Sequence, residues 1–242
     1  MIIKFIRFIK IYGLRRSLFK SFGRLRSYYF LKPLYFFKEP SIGLVGCGQF
    51  QFSTIAYFLS LSWNNRFKFA YDIDINKSKS LSKFYKIDVL ENLNYDDLKV
   101  KTVYIASNHY SHSSYSINFL NKGVNVFCEK PVAVNRNQLK SLIVSVNNSS
   151  AKFYCGYNRP HSKFIKTIKK NIIKESSLVH DKFSLNCNIF AHDLDVNHWY
   201  RNPQEGTRIC GNVGHWIDLM IHFQYMQIKK PELYLINITY SD

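Results

Sequence analysis

Four groups of residues have types and spacings that do chemistry. The first is Val126-Phe127-Cys128-Glu129-Lys130-Pro131-Val132-Ala133, a short apolar run that ends in a charged pair and a proline. Val124 to Cys128 has the β-branched and aromatic content of an interior parallel strand. Pro131 fixes its own φ and disfavours helical backbone at Lys130. The Lys130 amine is therefore held at the carboxyl end of a strand, where open α/β sheets bind ligands. A solvated Lys-Pro turn is the plainer alternative. The second group, Ser41-Ile42-Gly43-Leu44-Val45-Gly46-Cys47-Gly48-Gln49-Phe50-Gln51, reads as strand, glycine turn and helix. Gly46 permits a tight turn, Gly48 lets backbone approach a pyrophosphate, and Gln49 and Phe50 open the helix whose N-terminus favours that anion. Gln51 stands where the third glycine of such a fingerprint belongs, so helix–strand packing must be achieved otherwise. The third is Asp72, closing a strand from Phe67 to Tyr71 at the distance expected of a ribose-binding acid, with a helix N-cap as its plainer role.

The fourth group is richer in histidine and arginine. His215, Asp218 and His222 fall on one helical face. That spacing suits a substrate-facing polar stripe better than a zinc site, and no metal is assigned. His192, Asp193, Asp195 and His198 are read in the same way, as a cap on the segment before Trp199. Arg159, Arg201 and Arg208 are a candidate clamp for a diphosphate or carboxylate. Tyr157, Trp199 and Tyr200 offer stacking faces beside them, and plain surface charge is the alternative.

The elements that must position these groups alternate. Strands are expected at 41–45, 67–71, 101–106, 124–128 and 151–156, with helices at 49–61, 76–85, 110–121 and 135–146 between them. This is the pattern of a doubly wound parallel sheet of Rossmann type, an α/β fold. From Tyr157 the pattern changes to a basic helix, Lys163 to Ile173, a β-like stretch from Ser177 to Phe190, a helix from Val213 to Tyr225 and a last strand from Leu233 to Thr239. These suggest an incomplete α+β domain with an antiparallel sheet. The expected organisation is an arm at 1–38, a nucleotide-binding domain at 39–156 and a second domain at 157–242.

Composition narrows the class. Of the net charge of +18, ten positive charges and no acid lie in residues 1–38, which leaves 18 − 10 = +8 for the rest. Lys4, Arg7 and Lys10 recur every three residues with Ile and Phe between them. The arm is read as an amphipathic extension packed on the body, then as a helix on an anionic membrane surface, and least as a nucleic-acid arm. Five scattered cysteines with no Cys-x-x-Cys suit a reducing cytoplasm, and no apolar run is long enough to span a bilayer.

In this order the glycine turn, Asp72, Ser107-Asn108 with His112, Gly123 through Glu129-Lys130-Pro131, and Gly214-His215-Trp216-Ile217-Asp218 resemble the Gfo/Idh/MocA family of NAD(P)-dependent oxidoreductases. Tyr157-Asn158-Arg159-Pro160 and the segment from His198 to Asn212 are similar to members linked to bacterial surface-polysaccharide synthesis. The resemblance implies a Rossmann domain followed by a domain with a large open antiparallel sheet. It implies hydride transfer between nicotinamide and a sugar carbon, with Lys130 beside the reacting hydroxyl and His215 as general acid/base. The cofactor would lie against Gly46, Gly48, Gln49, Phe50, Asp72, Ser107, Asn108, His112, Glu129 and Lys130. The substrate, a sugar or nucleotide-sugar, would lie against Tyr157, Asn158, Arg159, Trp199, Tyr200, Arg201, Arg208, Asn212 and Asp218. Asp72 with no arginine immediately after it favours NAD over NADP. A homo-oligomer is left open. The chain departs from the family in two ways. Gly211 stands where an aspartate usually precedes the histidine by four residues, and the sequence stops at Asp242, short of several expected strands. A truncated or catalytically silent homologue acting as a partner subunit is the second reading.

Overall fold

Six strands pair in parallel in the order β3-β2-β1-β4-β5-β6. They are β1 (Ile42–Val45), β2 (Phe67–Tyr71), β3 (Asp88–Val89), β4 (Thr102–Ile105), β5 (Asn125–Cys128) and β6 (Phe153–Cys155). The computed structural model describes residues 2–22, 26, 39–61, 66–176, 186–190 and 193–224. The chain divides into two compact units, Met1–Gly156 and Tyr157–Asp242. The strand order reverses between β1 and β4, the point at which doubly wound sheets open a crevice for ligands.

The inner strands are covered on both faces, completely at β1 and in part at β2, β4 and β5, where buried residues are interspersed with half-buried ones. On one face Ile42, Leu44, Phe67 and Ala70 pack with Phe52, Ala56 and Tyr57 and with Leu81, Phe84 and Tyr85 of α4 (Ile75–Tyr85). On the other, Val45, Phe69, Val103, Ile105, Val126 and Cys128 pack with Phe119 and Leu120 of α5 (His112–Asn121) and Leu142 of α6 (Arg136–Asn148).

The helix after the glycine turn starts at Gln49, widens into a π-helical segment, Gln51–Ala56, and continues as α3 (Tyr57–Ser60). Gln51 replaces the expected third glycine by burying its side chain completely and donating from its amide to the Tyr104 carbonyl at 3.4 Å.

Among the described residues two helices precede the sheet, α1 (Ile2–Tyr12) and α2 (Leu14–Phe22). α2 is part of the core. Phe19 is 3% exposed and stacks on Phe52 at 5.4 Å, with Tyr57 at 4.5 Å and Phe84 at 5.8 Å. Arg16 is also buried. It donates to the Ser53 carbonyl and to Thr54 Oγ1, and its guanidinium lies 4.5 Å from the Tyr57 ring. The cation thus serves a carbonyl inside the π-helical segment, where the regular ladder is displaced. α1 instead exposes Ile6 and Ile11 together with Arg7 and Lys10. No helix among the described residues is long and apolar enough to cross a membrane.

Among its described residues the second unit contains α7 (Lys163–Ser176) and α8 (Gly214–Gln224), with short turns at Trp199–Arg201 and Pro203–Glu205 and a π-helical segment, Ile209–Val213, before α8. Residues 186–190, expected to be strand-like, have no regular structure. Residues 177–185, the strand expected at 233–239 and Tyr225 lie outside the described residues, as does His192. Among the described residues of this unit there is no strand.

Candidate functional site

The register of the sheet lines up the polar groups. Val45 pairs with Tyr71 and Ile105, and Ile105 pairs with Cys128, which pairs with Cys155. The next residues in each strand are therefore Gly46, Asp72, Ala106, Glu129 and Gly156, on one carboxyl-terminal rim. Backbone bonds continue the ladder there: Gly46 N donates to Tyr71 O, Ala106 N to Val45 O, Glu129 N to Ile105 O and Gly156 N to Cys128 O, all at 2.8–2.9 Å. Lys130 follows on the same rim.

The glycine turn is held on both sides. Gly46 has φ +81°, and a Cβ there would lie 2.4 Å from Ser107 N, so neither its conformation nor its space admits a side chain. Asp72 is not the cap of α4; Asp74 is, accepting from Asn76 N at 3.1 Å. Asp72 Oδ2 instead accepts from Cys47 N at 2.6 Å, and Oδ1 accepts from Asp74 N at 2.9 Å. The strand-end acid thus ties the glycine turn to the β2–α4 turn. Around a Cβ built on Gly48 nothing lies within 4 Å. That open space, beside the start of the helix at Gln49 and an exposed Phe50, fits the close approach of a diphosphate. Burial pushes the Cys47 thiol up to about 12, so it is a packing residue and not a nucleophile.

Ser107 Oγ and Ser111 Oγ share a 2.7 Å hydrogen bond at the end of β4, and the carbonyl of the exposed Asn108 accepts from Ser111. His112 corrects the expectation of a cofactor ligand. It is 1% exposed, with Nδ1 2.8 Å from the Pro131 carbonyl and Nε2 3.0 Å from the Ser107 carbonyl. Both ring nitrogens are used between β4 and the Lys130-Pro131 turn, so the histidine fixes that turn. Burial lowers its pKa against the raising effect of the two carbonyls. Glu129 is raised to about 7 by burial, with the Lys130 backbone N–H and then the Lys130 charge lowering it. Its carboxyl fills the space over Gly156, where a Cβ would lie 2.8 Å away.

In the second unit, three residues at its start face the first turns of α8. The Tyr157 ring meets the His215 ring edge-on at 5.6 Å, and its hydroxyl lies 3.2 Å from a Cβ built on Gly214. The Arg159 guanidinium lies 4.3 Å from the Trp216 ring. Asp218 is raised by burial and lowered by the charge of His161. Asn158 is exposed beside them and Asn212 lies in the π-helical segment before α8. His222, the third member of the polar stripe, contacts Lys169 of α7. No group of three or more metal-ligating side chains occurs among the described residues.

Trp199 and Tyr200 lie outside this cluster and pack with His198. Arg201 is turned to another task, donating from Nε to the Asp195 carbonyl and from Nη2 to the Leu194 carbonyl, both at 3.0 Å. Its fork closes its own loop, which corrects the expected three-arginine clamp. Arg208 is half-buried in helical backbone immediately before the π-helical segment. Sequence reasoning missed Arg26. Its Nη2 donates to the Cys47 carbonyl at 2.7 Å and its Nη1 to the Lys77 carbonyl at 3.1 Å. No local pattern marks one arginine of a basic arm as a partner of the glycine turn.

A parallel 3-2-1-4-5-6 sheet with a glycine turn at the switch point and an acid closing the next strand is the arrangement of a Rossmann-type fold. Residues 41–157 match the Gfo/Idh/MocA oxidoreductase family, described as an oxidoreductase family with an NAD-binding Rossmann fold, and this region carries that fold. An oxidoreductase of Formosa agariphila is 29% identical over 153 residues, 59% of this chain and 47% of the relative. The chain thus spans about half the length of the curated relative it matches. An NAD-binding protein from Listeria innocua superposes with a TM-score of 0.61 at 20% identity, over 77% of this chain and 55% of that one. The myo-inositol dehydrogenase of Lactobacillus casei, solved with NAD(H) and myo-inositol, gives 0.53 at 17% identity, over 57% of this chain and 42% of that one.

Proposed function

We propose that the chain belongs to an NAD-dependent oxidoreductase acting on a sugar hydroxyl or keto carbon, the sugar carried as a nucleotide-activated derivative for envelope polysaccharide. The observation that carries this reading is the single rim on which the glycine turn, Asp72, Glu129 and Lys130 stand. When bound, the nicotinamide supplies the acceptor for the hydride leaving the sugar carbon. The Gly46–Gly48 turn and the following helix N-terminus would hold the diphosphate, and Asp72 the adenosine ribose. His112 and Glu129 fix the backbone that aims Lys130. The Lys130 ammonium stabilises negative charge on the sugar oxygen, and the family resemblance assigns His215, in the second unit, the role of proton acceptor. Its edge-on contact with Tyr157 orients the imidazole ring.

The test is turnover of nucleotide-sugars with NAD by the purified chain. Lys130→Ala is expected to lower kcat about 10²–10⁴-fold with NADH binding retained. NADH binding without turnover by the unsubstituted chain would instead favour a silent cofactor-binding partner subunit. That reading has its own support, since Gly211 and Asn212 place no carboxylate before His215.

The arm adds a second contact to the proposal. The outward Ile6 and Ile11 of α1 lie among Arg7 and Lys10, which suits an anionic lipid surface. Replacing Arg7 and Lys10 with Gln is expected to weaken binding to phosphatidylserine vesicles about 5-fold per charge at low salt. Unchanged binding would contradict it.

A further inference from the structure

The corner of the site beside Asp72 holds a cation that comes from outside the Rossmann segment. Arg26 precedes Cys47 by 21 residues, yet its Nη2 donates to the Cys47 carbonyl at 2.7 Å. The N–H of the same residue, Cys47, donates to Asp72 Oδ2. One residue, the middle of Gly46-Cys47-Gly48, is thus gripped by an anion through its N–H and by a cation through its C=O. Nη1 reaches the third residue of α4 through the Lys77 carbonyl, and the guanidinium carbon lies 4.9 Å from the Phe52 ring. Arg26 adopts φ +49°, a conformation that costs a non-glycine residue energy and is kept where surrounding contacts demand it.

This matters for the ribose. A strand-end aspartate accepts hydrogen bonds from a 2′-hydroxyl and repels a 2′-phosphate, while a nearby guanidinium accommodates the phosphate. Arg26 supplies that charge from the arm, where no inspection of the residues following Asp72 finds it. Among the described residues, two of the five donors of the guanidinium are engaged. We propose that Arg26 is a specificity-determining residue that adapts the dinucleotide pocket to a ribose 2′-phosphate, so that the chain takes NADP(H) as well as NAD(H). This rests on the coenzyme-binding reading above.

The test titrates the full chain with NADH and, separately, NADPH by fluorescence, in the unsubstituted protein and in Arg26→Gln, Arg26→Lys and Arg15→Gln. Arg15 is exposed on α2, so its replacement removes the same charge elsewhere. Arg26→Gln is expected to weaken NADPH ~10-fold or more and NADH less than about 3-fold, with Arg26→Lys intermediate and Arg15→Gln near the unsubstituted protein. Equal loss of both coenzymes in a folded Arg26→Gln protein would mean that Arg26 only holds the turn and would overturn the inference. So would no loss of either, or an equal loss in Arg15→Gln. If the unsubstituted chain binds NADH but not NADPH, the inference alone fails. If it binds neither, the coenzyme reading fails with it.

Discussion

The carboxyl rim of the sheet and the start of α8 hold their polar residues in different ways. On the rim, position comes from backbone: strand register sets the rung, and Asp72 and His112 are bonded to main-chain groups on neighbouring strands and turns. At α8, position comes from side chains: Tyr157 against His215, Arg159 against Trp216, and the charge of His161 on Asp218. A backbone-held site fails only when the framework fails. A side-chain-held site can be changed one contact at a time.

The largest effect should come from the framework itself. Phe19 lies in the arm, but its ring is built into the aromatic core beneath the glycine turn. Phe19→Ala is expected to destabilise the first unit by about 3–4 kcal/mol in urea unfolding, as for other large-to-small changes in packed cores. A change below about 1 kcal/mol would mean that α2 is an appendage and that the rim does not depend on the arm.

A smaller effect separates the two regions by pH. Glu129 and Asp218 are both carboxyls raised by burial, one in each region. In each case the native state holds the proton more tightly than the unfolded chain does. That contribution is fully present below the ordinary carboxylate range and is lost as pH rises, for Glu129 through about 7. Glu129→Gln should therefore flatten the stability profile between pH 4 and 8, by up to about 3 kcal/mol. Asp218→Asn should flatten it less, because that side chain is only half-buried and water screens it. Equal flattening by both substitutions would erase the contrast.

Much of the fold was legible because burial on both faces leaves a strong mark. The runs at β1, β2, β4 and β5 are mostly apolar, and the glycine turn and the proline after Lys130 punctuate them. β3 was not legible, since its two residues carry no periodicity and sit at the sheet edge. The π-helical segments were not legible either, because no residue type or spacing in so short a stretch marks a widened helix. Among the site residues, Gly46 could be recognised from local geometry alone. His112 and Arg26 could not, because their roles are set by carbonyls brought from distant segments, and Arg201 could not, because nothing in its residue type marks the carbonyls of its own loop as its partners. A histidine buried between two carbonyls and a histidine facing a ligand are identical in sequence.

The most direct test of the dinucleotide reading uses Gly48, where a Cβ meets nothing within 4 Å among the described residues. NADH should bind the unsubstituted chain saturably in the micromolar to millimolar range. Gly48→Val should keep the unfolding transition within about 1 kcal/mol yet weaken NADH more than about 30-fold by filling the approach to the diphosphate. Undiminished NADH binding by a folded Gly48→Val protein would contradict the placement of the coenzyme on this turn.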